Sequence, residues 1–223
     1  MFLIESGGQK LLYTGDYRSH GRMDFDRLLA QLPNEVDMLI TEGTTLTREE
    51  VETVSEDEIE SMAFDEIRKH SGPVFVVASS TNISRMVSMF KATRRNQRLF
   101  AYDAYAAQIA LMSKKSIPNP DTFDAKYLKV FIASNTRDDE YAFLKHYPQH
   151  KIGRDSLAQT RFVAMIRSSM LNWVKRMASR IKESTHKEKA FENGLLIYSM
   201  QLSQAHAAGG CIYECRGFNS LQK

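Results

Sequence analysis

The sequence lacks long apolar runs, repeats and a cysteine framework. None of its 223 residues lies in an uninterrupted apolar stretch of about 18 residues, the length that a membrane span requires. The first five residues, Met-Phe-Leu-Ile-Glu, lack the basic region and the long apolar region of a signal peptide. These absences predict a cytoplasmic globular protein that does not interact with membranes.

Cysteine is scarce, with two residues in the whole chain. Cys211 and Cys215 are four positions apart, and His206 is the nearest histidine. Structural zinc sites need four ligands, so this group is a weak metal signal. Two free thiols of an intracellular protein are the interpretation we favour.

The composition is that of an ordinary globular protein, with 43% hydrophobic and 26% charged residues. The formal net charge of +3 and the isoelectric point near 8.8 are compatible with nucleic-acid binding but do not require it. The length permits one large domain or two modest ones.

Short apolar segments alternate with segments of helical periodicity along most of the chain. Most of the apolar segments are continuous, as in strands that are buried on both faces of a parallel sheet. The alternation predicts an α/β fold with a largely parallel sheet. The predicted strands are Phe2–Ile4, Lys10–Thr14, Asp37–Thr41, Val74–Ala78, Leu99–Tyr102, Lys129–Ala133, Phe162–Ile166 and Leu195–Ser199.

Helix starts are marked by capping residues. Ser55 and Glu58 form a capping-box pattern, and Asn82 is predicted to cap a second helix. An apolar stripe follows each cap: Ile59, Met62, Ala63 and Ile67 in the first helix, and Ile83, Met86, Val87 and Phe90 in the second. Further helices are predicted at Ala104–Ser113, Asp138–His146 and Ser169–Lys182.

The connecting segments divide the chain. Phe2–Thr14 is predicted to form a β-hairpin that turns at Gly7 and Gly8. The polar segment Thr44–Ser55 is the candidate crossing between two domains, and Ser116–Tyr127 is predicted to be a loop. A sheet that starts with such short strands has edges that need cover, so self-association through exposed sheet edges is one expectation.

Two acidic residues follow predicted strands and lie beside glycines. Asp16 comes after Gly15 in a segment that also brings His20 into a loop, and Glu42 precedes Gly43. Loops at the carboxyl ends of strands are where α/β folds build their sites. Asp16 could therefore be a metal ligand, or it could cap the backbone of a turn. Asp16 and Glu42 would converge on one cleft if their strands were neighbours.

Four strings carry a resemblance to a known family: LLYTGDYRSHGR, LLAQLPNEVDMLITEGTTLTRE, VFVVASSTNISRMVSMFKA and AMIRSSML. They resemble metallo-β-lactamase-fold hydrolases, and more closely the β-CASP branch that contains ribonuclease J. The likeness covers roughly residues 2–200. It implies a partial metallo-β-lactamase sheet in residues 1–54, a β-CASP-like three-layer α/β domain in residues 55–200, and a C-terminal tail of uncertain structure in residues 201–223.

The resemblance also implies a chemistry. Members of this family bind two zinc ions and cleave phosphodiesters, those of RNA in the ribonuclease J-like members. Asp16 matches the aspartate that bridges the two zinc ions. Glu42 matches an acidic motif that supports a histidine near the leaving group, and His20 would face the cleft. The implied cofactor is zinc and the implied partner is RNA.

The departures from the family pattern are as informative as the matches. The family's H-x-H-x-D-H motif does not occur, since all six histidines are isolated from one another. Asp16 offers one carboxylate, whereas a zinc ion needs three or four protein ligands. We therefore expect an incomplete copy of the hydrolase that is inactive by itself. The alternative is a non-catalytic RNA-binding or assembly module that retains the β-CASP clamp.

Other features have two interpretations each. The basic groups Arg94-Arg95-Arg98, Lys114-Lys115 and Lys175-Arg176-Arg180-Lys182 could neutralise RNA phosphates or be solvated helix faces. Ser79–Asn82 could hold an anion at a helix start or simply cap it, and an enzyme that handles phosphate there is a third, weaker hypothesis. Trp173 is predicted to pack in the core rather than to stack on bases.

Overall fold

The computed structural model describes residues 1–15, 22, 24–41, 54–113, 116–133, 138–185 and 191–200. Within this part of the chain two separate sheets form, one of three strands and one of six. No described helix is both long and apolar enough to cross a lipid bilayer.

The small sheet contains β1 (Phe2–Ser6), β2 (Gln9–Tyr13) and β3 (Met38–Ile40), in that spatial order. The β1–β2 hairpin is confirmed, and both glycines of its turn have positive φ, +58° at Gly7 and +79° at Gly8. A tight two-residue turn needs such angles at both positions, which glycine adopts without steric cost. β3 runs parallel to β2, after a connection that contains the short helix α1 (Phe25–Leu29).

The large sheet has six parallel strands in the order β7-β6-β5-β8-β4-β9. Their bounds are β4 (Val74–Val77), β5 (Leu99–Asp103), β6 (Leu128–Phe131), β7 (Lys151–Ile152), β8 (Phe162–Ile166) and β9 (Leu195–Tyr198). All residues of β4 and β8 are buried. The sequence prediction of continuous apolar strands in a parallel sheet is therefore confirmed.

Helices cover both faces of the large sheet. Alternate residues of each strand contribute to two separate apolar cores, because side chains alternate between the faces of a sheet. One core is closed by α2 (Glu56–Lys69), α3 (Ile83–Arg95), α4 (Ala104–Met112) and α5 (Asp138–Lys145), and the other by α6 (Arg154–Ala158) and α7 (Leu171–Thr185).

The two helix caps that the sequence predicts are confirmed. Ser55 Oγ accepts a hydrogen bond from Glu58 N, and Glu58 Oε2 accepts one from Ser55 N, so the capping box is complete. Asn82 accepts from Arg85 N and caps α3. The predicted stripe of α2 is wrong at one position, because Met62 is 45% exposed whereas Ile59, Ala63 and Ile67 are buried. In α3, Met86 and Phe90 are buried and Val87 is partly exposed.

The order of the strands creates a reversal of direction inside the sheet. From β4 the chain moves through β5 and β6 to β7 with α3, α4 and α5 on one face, and then returns to β8 and β9 with α6 and α7 on the other. The loops that follow the neighbouring strands β5 and β8 therefore leave towards opposite faces. Such a reversal opens a crevice at the carboxyl ends of the strands, where α/β proteins bind ligands.

Candidate functional site

The carboxyl ends of β2 and β3 are neighbours. The two strands are parallel with Tyr13 opposite Ile40, and Thr14 N donates to Ile40 O at 3.0 Å. One step further, the hydroxyl groups of Thr14 and Thr41 are hydrogen-bonded at 3.1 Å. The sequence predicts that Asp16 and Glu42 converge on one cleft if their strands are neighbours. Because β2 and β3 are neighbours, this condition is met.

The sequence-predicted site residues themselves, Asp16, His20 and Glu42, lie outside the described residues. Their roles stay predictions. What the structure supplies is the arrangement of the positions that lead to them: Gly15, with φ of +58°, directly precedes Asp16, and Thr41 directly precedes Glu42.

Arg22 contacts two of the helices that cover the large sheet, α2 and α3. Its guanidinium contacts Asp57 Oδ1 at 3.1 Å and Glu60 Oε2 at 2.5 Å, and its Nε donates to Ser88 Oγ at 3.2 Å. Its backbone N–H also donates to Ser84 Oγ at 3.4 Å, in the first turn of α3. The side chain of Arg22 is 18% exposed. Arg22 thus lies beside the start of α3, at the carboxyl edge of the large sheet.

A buried ion pair lies next to the residues that Arg22 contacts. Arg85 Nη2 lies 3.2 Å from Glu56 Oε1, and Arg85 Nε lies 3.3 Å from both carboxylate oxygens. Ser88 Oγ donates to Glu56 Oε2 at 2.6 Å. All three residues are buried. Since they join the first turn of α2 to α3, they hold the surface on which Arg22 rests.

At the end of β4, Ser79–Asn82 forms the start of α3. The hydroxyl groups of Ser79 and Thr81 are 2.8 Å apart, and Thr81 N donates to Ser79 Oγ at 3.3 Å. Together with the Asn82 cap, these contacts confirm the capping interpretation. Anion binding at this helix start stays a prediction.

An arginine occupies the crevice between the ends of β5 and β8. Arg167 directly follows β8, and its Nη2 contacts Asp103 Oδ2 at 2.5 Å, while Asp103 Oδ1 caps α4 through Ala106 N at 3.0 Å. The guanidinium carbon lies 5.1 Å from the centre of the Tyr105 ring. Among the described residues, Arg167 Nε has no hydrogen-bond acceptor. Nε itself is buried, whereas the Arg167 side chain as a whole is 37% exposed, so its exposed part can still bind a phosphate.

The predicted basic groups do not form one surface. Arg94 stacks 3.2 Å from the centre of the Tyr127 ring, and Arg180 pairs with Asp155 and Glu183. Arg98 is buried and donates to the carbonyl oxygens of residues at the end of α2. Burial, followed by the charge of Arg161, lowers the pKa of Arg98 to about 10, so Arg98 stays charged at neutral pH. Lys114 and Lys115 lie outside the described residues.

Trp173 packs in the core, as predicted. It is 2% exposed, lies 4.1 Å from the Phe131 ring in a stacked arrangement, and meets Phe75 edge-on. Such a ring is unavailable to bases.

Zinc is not matched by the side chains that the structure describes. In the described ranges no three histidine, cysteine, aspartate or glutamate side chains are grouped so that they could hold a metal ion. Cys211, Cys215 and His206 lie outside these ranges. The donor set that the sequence assigns to zinc is one carboxylate, Asp16, and one carboxylate does not fill the shell of a zinc ion.

Sequence reasoning did not single out Arg22, Asp103 or Arg167. Arg22 and Arg167 do stand in strings that carry the family resemblance, and Arg167 directly follows a strand, which is the one local signal that could have identified it. Searches against protein-family models and against curated proteins find no match.

Proposed function

We propose that the ends of β2 and β3 form one wall of a metal-dependent phosphodiesterase site that acts on RNA, in the manner of the β-CASP hydrolases that the sequence resembles. The observation that carries the proposal is the parallel pairing of β2 and β3, which brings Thr14 and Thr41 into contact immediately before Gly15-Asp16 and Glu42. Asp16 would be the metal ligand, with Glu42 and His20 acting beside it in the cleft.

The opposite wall would be the carboxyl edge of the large sheet. Arg22 contacts Ser84 and Ser88 of α3. The start of α3 and the crevice with Arg167 belong to the same edge of the sheet. In this proposal Arg167 binds an RNA phosphate through the exposed part of its side chain, which is 37% exposed overall, and the carboxylate of Asp103 keeps the guanidinium in place.

The chain's own contribution is the binding and orientation of RNA. Bound zinc ions would supply the activated water and the charge stabilisation of phosphodiester hydrolysis. Because Asp16 supplies a single carboxylate, we derive no metal-dependent step. Hydrolysis is expected where further ligands complete the zinc site.

The metal test compares the wild type with Asp16→Ala and with the control Asp26→Ala, which removes an exposed carboxylate of α1. If further ligands complete the site, elemental analysis after purification without chelator gives zinc that Asp16→Ala loses and Asp26→Ala retains. RNA cleavage is expected only from protein that holds zinc, because one carboxylate alone does not complete a zinc site. Absence of zinc from the wild type as well as from both variants would refute the hydrolytic role.

The binding test uses Arg167→Lys, which keeps the charge opposite Asp103 but removes the planar fork. Affinity for a short single-stranded RNA should fall by roughly ten-fold, since a hydrogen bond to a charged group contributes about 1.5–3 kcal/mol. Lys175→Gln on α7 is the control and should bind normally. Equal affinities of all three proteins would contradict the assignment of Arg167.

A second candidate function, an assembly module, is favoured by the small sheet. Its strand register places six apolar or aromatic side chains on one face, beside the uncharged Ser6 and Gln9: Phe2, Ile4, Leu11, Tyr13, Met38 and Ile40. Five of the six are at least 44% exposed, and Phe2 reaches 67%. Two copies of the chain could bury these faces against each other without burying a charge.

Sedimentation velocity at increasing concentration tests the second candidate. The wild type should form a dimer that Ile4→Lys and Met38→Lys both abolish, because each substitution buries a charge in the contact. Met62→Lys, on the exposed side of α2, is the matched control. A wild type that stays monomeric at every concentration would exclude this candidate.

A further inference from the structure

Four arginines come together at the amino edge of the large sheet, the edge opposite the candidate site. Arg98 and Arg161 directly precede the paired residues Leu99 of β5 and Phe162 of β8. The last turns of α2 and α3 end at the same edge and bring Arg68 and Arg95. The topology therefore collects side chains that are far apart in the sequence.

Three of these arginines line a pocket of about 250 Å³, together with Phe64, Asn96 and Gln97. Arg68, Arg95 and Arg161 are exposed there, while Arg98 is buried and already bonded to backbone carbonyls. Among the residues that line the pocket there is no carboxylate. The pocket is thus a concave surface of one charge sign.

The nearest counter-charge in the described part of the chain is shared among several cations. Glu60 lies 3.7 Å from Arg95, but it also contacts Arg22 at 2.5 Å and Lys91 at 3.7 Å. Two further carboxylates lie near this end of α2: Glu66, which pairs with Lys69 at 2.5 Å, and Asp65, which is exposed and three positions before Arg68. Neither lines the pocket, and the charge of Arg161 contributes to the lowered pKa of Arg98.

The pocket is also partly preorganised. The guanidinium of Arg95 lies 4.0 Å from the centre of the Phe64 ring. The side-chain amide of Asn96 donates to Phe64 O and Ala92 O, each at 3.0 Å. Arg161 O accepts from Leu99 N at 2.9 Å, which fixes the backbone of Arg161. Ligand binding would therefore order few groups beyond the guanidinium tips.

We infer that the pocket of Arg68, Arg95 and Arg161 binds a phosphate group of an RNA chain at a distance from the candidate site. Guanidinium groups match phosphate oxygens in geometry and charge, and the pocket is open to solvent. The RNA identity of the ligand rests on the proposed function. From Ser84, which Arg22 contacts, to Arg95 the axis of α3 rises by roughly 17 Å, and Lys91 lies between them.

An RNA that reaches from the candidate site to this pocket must therefore be several nucleotides long. The wild type should bind a single strand of about 20 nucleotides more tightly than one of about 5 nucleotides. This gain in affinity should exceed the gain expected from the larger number of non-specific binding positions on the longer strand. Short RNA should occupy the candidate site alone.

The test is fluorescence anisotropy with labelled RNAs of both lengths over a range of salt concentrations. The double variant Arg68→Gln/Arg161→Gln should lose roughly ten-fold in affinity for the long RNA, with a log–log salt slope smaller by about 0.7, since the pocket neutralises one phosphate and each neutralised single-strand phosphate contributes about 0.7. Its affinity for the short RNA should not change. The control Lys175→Gln/Lys182→Gln removes the same charge from α7, on the other face of the sheet, and should bind both RNAs like the wild type.

The outcomes separate this inference from the proposed function. A double variant that binds long RNA like the wild type, or a control that loses as much, overturns the pocket while the short-RNA result still stands. A wild type that binds neither RNA overturns both. An acidic peptide that binds the wild type but not the double variant, with no effect of the substitutions on RNA binding, would assign the pocket to a protein partner instead. Thermal unfolding checks that both double variants are folded.

Discussion

The buried ion pair of Glu56 and Arg85 gives the sharpest prediction on stability. In Glu56→Leu, Arg85 would keep its charge at a position where its side chain is about one-tenth exposed, and Ser88 would lose its acceptor at 2.6 Å. Removal of one partner of a buried pair costs about 3–5 kcal/mol, because the remaining charge is neither solvated nor paired. For a chain of this length such a loss lowers the unfolding midpoint by roughly 6–20 °C.

The assay is a double-mutant cycle followed by urea denaturation. Glu56→Leu and Arg85→Met should each lose several kcal/mol, whereas the double variant should recover much of the loss, since apolar side chains replace buried pairs at little cost. The control Asp57→Leu removes the next carboxylate of α2, which is 86% exposed although it contacts Arg22, and should cost about 1 kcal/mol or less. The reasoning is refuted if Glu56→Leu costs no more than Asp57→Leu, or if the losses of the single variants simply add.

Three further predictions concern other parts of the fold. The hydroxyl of Ser55, and after it the backbone N–H, lowers the pKa of Glu58 below its ordinary value of 4.5. The resulting stabilisation is present above that value and disappears as the pH falls through the folded pKa. The unfolding midpoints of the wild type and Ser55→Ala should therefore converge in acid, and a constant difference would contradict this. Trp173, the one tryptophan of the sequence, should emit at short wavelength and resist quenching by iodide, and Trp173→Ala should cost about 3–5 kcal/mol in chemical denaturation; free quenching in the native state would argue against its burial. Gly72→Ala should destabilise by about 1–3 kcal/mol, because a Cβ there would lie 2.3 Å from Glu192 O; an unchanged midpoint would show that this contact relaxes, and Gly153→Ala, with open space around the added Cβ, is the control.

Local signals predicted most of the fold. Apolar runs such as Val74–Val77 identify buried strands without knowledge of their neighbours, and the caps at Ser55 and Asn82 depend on contacts within one turn. β7 has two residues and α6 has five, which are too short for a periodic pattern to appear. Met62 fits the apolar stripe of α2 by spacing, but the curved surface beneath the helix is covered by Ile59, Ala63 and Ile67.

The candidate site was less accessible to sequence reasoning. Arg22 contacts groups 34 to 66 positions away, and Arg167 contacts Asp103 across 64 positions. No local sequence pattern predicts contacts between residues that are so far apart in the chain. The adjacency of the strands before Asp16 and Glu42 was expected only as a condition, and the parallel register of β2 and β3 now fulfils it.

The position of β8 has a consequence for the order in which the chain can assemble. β8 lies between β4 and β5 and pairs with both, yet on a ribosome it would emerge roughly 3–12 s after β5, at about 5–20 residues per second. During that interval the inner edges of β4 and β5 have no native neighbour. Since unpaired strand edges recruit other chains, the nascent protein passes through a period in which a chaperone that shields these edges would raise its yield.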